Sequence, residues 1–168
     1  NDNANWSAPE SYASTKACAL TTGDGTKTVY VKYKDGANYW SSQSNDTIML
    51  DTTPPVGSIS ICGETRCGYT KNINVTLWPA CYDYSSGCTQ MKFSNDNINW
   101  STSETFASGK FWTLLSGDGI KVVYYKVKDG DDNWSDLLLG GVVLDTIAQS
   151  TTASTPGGIY NTATVATL

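Results

Sequence analysis

Residues 1–52 align with residues 95–146 at a constant offset of 94, without a gap, and 26 of the 52 positions are identical. Chance supplies only a few identities over such a length, so the chain carries an internal repeat. The shared text includes "NWS", "GDG", "VY", "KDG", "WS" and "LDT". A weaker likeness links "GGIYNTATVATL" (157–168) to "CGYTKNINVTL" (67–77). The 168 residues are therefore expected to hold the back of one unit (1–53), one complete unit (54–148) and the first strands of a further unit (149–168). Such a chain folds as a linear series of similar units, each leaning on its neighbours.

The joint between the first two segments reads Asp51-Thr52-Thr53-Pro54-Pro55. Two prolines cannot donate to a β ladder and favour an extended backbone, which makes a short, stiff connection. The next joint, Asp145-Thr146-Ile147-Ala148-Gln149, lacks both prolines. Within the complete unit, short runs rich in Val, Thr, Tyr and Trp alternate with clusters of Gly, Asn, Asp and Ser. This pattern predicts strands near 56–62, 72–78, 89–95, 104–106, 110–115, 120–128 and 137–144, with turns at "NDNIN", "SGDG" and "DGDDN". No sustained 3.6-residue apolar period predicts a helix. The expected fold is all-β: tandem antiparallel immunoglobulin-like β-sandwich repeats of about 94 residues.

"MKFSNDNINW…SGDGIKVVYYKVKDGDDNWS…LDT", with "LDTTPP" at the first joint, resembles the immunoglobulin-like or fibronectin type III-like repeats of large bacterial and archaeal surface proteins. "ACYDYSSGC" and "TPGGIYNTATVATL" also resemble the opening halves of chitobiase C-terminal-type sandwich repeats. The resemblance implies architecture more than activity, because such modules serve as spacers, adhesin stalks and enzyme accessories.

Half a sandwich leaves a strand edge and half a core uncovered. Two arrangements would complete it: an excerpt of a longer tandem chain, or a filament in which the tail strands of one copy complete the head of the next. The tail offers counterparts of about 56–77 only, and nothing in the chain matches "WPACYDYSSGCTQMKFS" (78–94) for the head, which favours the excerpt.

Five cysteines are present: Cys18, Cys62, Cys67, Cys81 and Cys88. There is no CxxC spacing and no histidine, which argues against zinc and haem attachment. Two local disulfides within 62/67 and 81/88 fit better and imply an oxidising, extracellular setting, although a crossed pairing such as Cys62 with Cys81 stays open. Cys18 stands where the complete unit has Trp112; a thiol bonded to another chain or segment, or simply an unpaired one, fits it.

Six tryptophans raise the question of a sugar-stacking surface. Trp6/Trp100 and Trp40/Trp134 recur at the repeat offset beside turns, as packing residues also would; Trp40 and Trp134 are the candidates for sugar contact. Asp129, Asp131 and Asp132 are the calcium candidates, since calcium takes six to eight oxygens. The matching turn in the first segment keeps one carboxylate, Asp35, so ordinary turn chemistry also accounts for them, and no cofactor is otherwise expected. Asn-x-Ser/Thr sequons occur at Asn5, Asn45, Asn74, Asn99 and Asn133, and are candidates for glycosylation.

With 11 Lys plus Arg against 16 Asp plus Glu, the chain is acidic and lacks the basic face that nucleic acid requires. No apolar run reaches the roughly 18–20 residues of a membrane span. No nucleophile motif, phosphate loop or facing carboxylate pair points to catalysis. The expected role is a structural repeat segment of an extracellular or cell-surface stalk, fibre or filament whose partners are neighbouring repeats or further copies. A carbohydrate-binding accessory module of a secreted glycosidase, with polysaccharide as partner, is the alternative. A donor-strand-exchanged filament subunit is another.

Overall fold

The computed structural model describes residues 5–62 and 67–148. The strands expected in 149–168 lie outside that range. Among the described residues, all ten elements are β-strands.

The first two form a hairpin, β1 (Gly25–Val31) and β2 (Ser44–Leu50), paired antiparallel. The remaining eight build a sandwich. One sheet has the order β3 (Val56–Cys62), β5 (Asn74–Tyr82), β8 (Lys110–Thr113). The other runs β4 (Tyr69–Thr70), β10 (Leu138–Leu144), β9 (Gly119–Asp129), β6 (Cys88–Ser94), β7 (Glu104–Thr105). Strands that follow one another in sequence repeatedly cross between sheets, which is the connectivity of an immunoglobulin-like sandwich.

Period-2 alternation decides which side chains meet. Ile59, Ile61, Val75, Leu77 and Leu114 face Met91, Phe93, Val123, Tyr125, Val127 and Val142 across the interior. Phe93 stacks on Tyr125 with ring centroids 5.2 Å apart, and Trp112 closes the same cluster 5.7 Å from Phe93. Burying each such side chain contributes about 1.5–3 kcal/mol. The Tyr125 hydroxyl is buried without a hydrogen-bond partner, and burial raises its pKa well above the usual phenol range.

Two features depart from the sequence expectation. The short strand β4 falls just before the strand expected at 72–78, where no strand was expected, and it pairs with β10 in parallel, with Tyr69 opposite Val143. Two residues carry no periodicity, so only the neighbouring strand reveals them as a strand. Strand β5 also runs four residues past its expected end, through Pro79. Pairing with β8 stops at Leu77, so Pro79 sits where one side of β5 has no ladder to interrupt.

Candidate functional site at the Asp51 joint

The repeated words of the sequence turn out to be three recurring hydrogen-bond devices. In the first, the aspartate of "GDG" caps the end of the last strand. The Asp118 carboxylate accepts from the Thr146 amide at 2.9 Å and from its hydroxyl at 2.7 Å. Asp24 accepts from Thr52 in the same way, at 2.8 and 2.7 Å, and also from the Thr53 hydroxyl. The flanking glycines adopt positive φ in both copies: 82° and 110° at Gly23 and Gly25, 86° and 109° at Gly117 and Gly119.

In the second, the aspartate of "KDG" closes the next turn. Asp129 Oδ1 accepts from the Asp131 and Asn133 amides at 2.9 and 2.8 Å; Asp35 Oδ1 accepts from Ala37 and Tyr39, both at 2.9 Å. The left-handed residue of that turn also recurs, Asn38 at φ 72° and Asp132 at φ 71°.

In the third, the serine of "WS" clamps the strand eight residues back with two hydrogen bonds. Ser135 N–H donates to the Val127 carbonyl at 2.8 Å, and Val127 N–H donates to Ser135 Oγ at 3.1 Å. Ser101 with Phe93, and Ser41 with Tyr33, repeat the pattern. Each tryptophan bridges its strand beside the clamp: Trp134 to Lys128, Trp100 to Ser94, Trp40 to Lys34.

At the first joint these devices converge with "ACYDYSSGC". Asp51 is 6% exposed and Asp129 1%. Ser86 Oγ donates to Asp51 Oδ2 at 2.6 Å and accepts from the Gly130 amide at 3.1 Å. Asn133 Nδ2 donates to Asp129 Oδ2 at 2.9 Å and to the Asp51 carbonyl at 3.2 Å. Asp83 Oδ1 receives the amides of Ser85, Ser86 and Gly87 at 3.1, 2.9 and 2.7 Å. The end of the first segment is thereby tied to both the β5–β6 and the β9–β10 loops of the sandwich. Among the described residues, Asp51, Asp83 and Asp129 are the group that could hold a metal ion, with one oxygen of each within 4.8 Å of the others. Of the expected calcium trio, Asp129 belongs to this group. Asp131 and Asp132 are exposed, and Asp132 pairs with Lys128 at 2.5 Å.

Sequence reasoning did not single out Asp51, Asp83 or Ser86. Asp51 and Asp83 lie 32 residues apart, and only the fold brings them together; the one signal in the sequence is that the Asp of "LDT" recurs, as Asp51 and Asp145.

Cys62 is bonded to Cys67 and Cys81 to Cys88. Cys18 is an exposed free thiol. The faces of the four repeated tryptophans are occupied by lysines. Lys92 Nζ lies 5.3 Å from the Trp100 ring centre and 4.4 Å from that of Trp134, and Lys128 lies 5.7 Å from Trp134. Lys32 covers Trp6 at 4.6 Å and Lys34 covers Trp40 at 5.7 Å. Of the sequons, Asn5, Asn45, Asn74 and Asn99 are exposed, whereas Asn133 is half-buried with its amide nitrogen engaged in the joint. Asn99 Nδ2 donates to Asp96 Oδ2 at 2.7 Å.

The fold and its joint define the class: an all-β sandwich module of the immunoglobulin and fibronectin type III kind, carrying a repeated hairpin. Among solved structures, the chain is similar to the fibronectin(III)-like modules of CbhA from Clostridium thermocellum, at 12% identity and TM-score 0.38, covering 73% of this chain and 64% of that one. It is also similar to the tetra-tandem repeat in the extending region of a large adhesion protein, at 14% identity and TM-score 0.34, covering 73% of this chain and 32% of that one. The chain thus spans less than two thirds of the length of each. No family model and no curated protein matches it.

Proposed function

We propose that this chain is a structural segment of an extracellular, non-catalytic tandem-repeat protein, a stalk or fibre that holds sandwich modules in line. The observation that supports it is the Asp51 joint. A buried carboxylate at the end of one segment accepts from Ser86 in the next, and two prolines stiffen the connection between them. Such a joint fixes the angle between neighbours, which a spacer needs and an independently tumbling domain does not. Two disulfides in one module suit an oxidising compartment. The partners on this reading are neighbouring repeats of the same chain. The test is the intact mass of the native chain under denaturing conditions, with and without reductant. A mass far above 18.1 kDa and unchanged by reductant is expected. A species at 18.1 kDa would turn the reading toward a subunit completed by strand exchange with further copies.

One observation favours polysaccharide contact as a second reading, at a place other than Trp40 and Trp134. The outer face of β3–β5–β8 presents Val56, Trp78, Tyr82 and Phe111, between 52% and 87% exposed, among the uncharged Ser58, Ser60, Thr76 and Ala80. Pull-down on insoluble polysaccharide tests it. Retention lost in Trp78→Ala with Phe111→Ala, and kept in Trp134→Ala, is the expected pattern. No retention of the parent chain would end this reading.

A further inference from the structure

The β1–β2 hairpin and the β9–β10 hairpin are the same object. Gly25 opposes Leu50 and Val31 opposes Ser44; Gly119 opposes Leu144 and Tyr125 opposes Leu138, every pair displaced by 94. Their glycine turns and aspartate caps also match, as described above. What differs is the cover. In the sandwich, Val123, Tyr125, Val127 and Leu144 are 0% exposed and Val142 2%. At the equivalent positions, Val31 is 38% exposed, Tyr33 53% and Ile48 55%, while Val29 and Leu50 are half-buried. Tyr33 meets Tyr12 at 6.1 Å and is still open on its other side. The edges differ too. β9 is flanked by β6 and β10 by β4, whereas among the described residues β1 and β2 pair with each other alone.

A preformed hairpin whose apolar face is exposed and whose edges are unpaired among the described residues is one layer of a sandwich. We propose that it is an acceptor for a front half-unit of the chain's own repeat kind, whose equivalents of β3 and β5 cover the face and whose equivalent of β6 pairs along β1. This inference rests on the tandem-array reading above. The internal repeat names the occupant: the same hairpin, in the same register, is covered by those strands in the one unit where both halves are present. A lipid would leave the ladder groups of the edges unmet, whereas a strand pairs them in register.

The acceptor also has its own specificity. Ser44 and Asp46 stand where the sandwich has Leu138 and Gly140. A Cβ at Gly140 would lie 2.9 Å from the Ile59 carbonyl oxygen. Asp46 lies directly across from Val29 in the middle of that face, so a covering strand stands off there by the width of its side chain.

The experiment extends the full 168-residue chain with a copy of residues 54–94, so that the copy's final serine joins Asn1 as Ser94 joins Asn95. Amide hydrogen exchange then reads β1 and β2, and sedimentation reads the oligomeric state. Exchange should slow on the order of 100-fold in the extended chain, and further with Asp46→Gly. A copy carrying Val75→Asp and Leu77→Asp should give no slowing. Unchanged exchange in both the extended chain and its Asp46→Gly form would overturn the proposal, as would equal slowing with the doubly substituted copy. So would an unextended chain that is already protected and sediments as a dimer, because the occupant would then be a second copy. A native mass of 18.1 kDa would remove the array reading and leave the exchange result standing, so the two failures are distinguishable.

Discussion

The most informative residues are short polar ones that return at the same place in each hairpin. "NWS" reads as a glycosylation signal, yet at residues 99–101 and 133–135 its serine is the strand clamp and its tryptophan the strand bridge. Two of the five sequons, at Asn99 and Asn133, thus carry residues that serve the hairpin. Ser135→Ala removes the acceptor of the buried Val127 amide and is expected to cost about 1–3 kcal/mol, read as a lowered thermal midpoint. The capping aspartates set an acid limit. Hydrogen bonds from the Thr146 side chain first, then its amide, hold Asp118 below its ordinary 3.8, and the Thr53 and Thr52 hydroxyls do the same for Asp24. Both carboxyls are easier to ionise folded than unfolded. Their contribution is complete above the ordinary carboxylate value and is lost as pH falls through the lower folded one. Titration of the carboxyl carbons by NMR should place both groups low, and Thr146→Val should move Asp118 back toward 3.8 while leaving Asp24 where it is. The sequence made these aspartates visible as repeated turn residues. It could not pair Asp118 with Thr146, because 28 positions separate them and closing the hairpin is what brings them together.

At the scale of strands, seven of the eight sandwich strands were legible, the longer ones because half-buried strands write their pleat into the sequence. The two-residue strands cannot alternate, and of these β7 was placed and β4 was missed. Close approaches between elements are equally hidden. Gly140 lies on β10 where it crosses β3, and Gly140→Ala would press a methyl against the Ile59 backbone. A loss of about 1–3 kcal/mol is expected, whereas Gly141→Ala, with its nearest neighbour at 3.9 Å, should change stability by less than about 0.5 kcal/mol in denaturant titration. The Cys81–Cys88 bridge joins the end of β5 to the start of β6 across a seven-residue separation. Replacing both cysteines by alanine should lower stability by about 2–3 kcal/mol, with the same hairpin register retained in amide exchange.

For the molecule as a whole, the joint decides whether neighbouring segments move as one. Asp51→Ala removes the acceptor of Ser86 Oγ and of the Thr53 amide. Residual dipolar couplings should then report independent alignment of the β1–β2 hairpin and the sandwich, while the melting of the sandwich stays within about 1 kcal/mol because its core is untouched. A single alignment tensor in the variant would show that the two prolines and the hydrogen bond from Asn133 to the backbone carbonyl of residue 51 suffice to hold the angle. The sequence by itself determined the repeat, most of the strand content and the turn chemistry, because each is written in neighbours along the chain. Only the tertiary structure decided that Asp51, Asp83 and Asp129 meet, that lysines cover the repeated tryptophans, and that one copy of the hairpin is buried while its twin lies open. Those depend on which strands lie across from one another, and that is a property of the sandwich rather than of any stretch of its sequence.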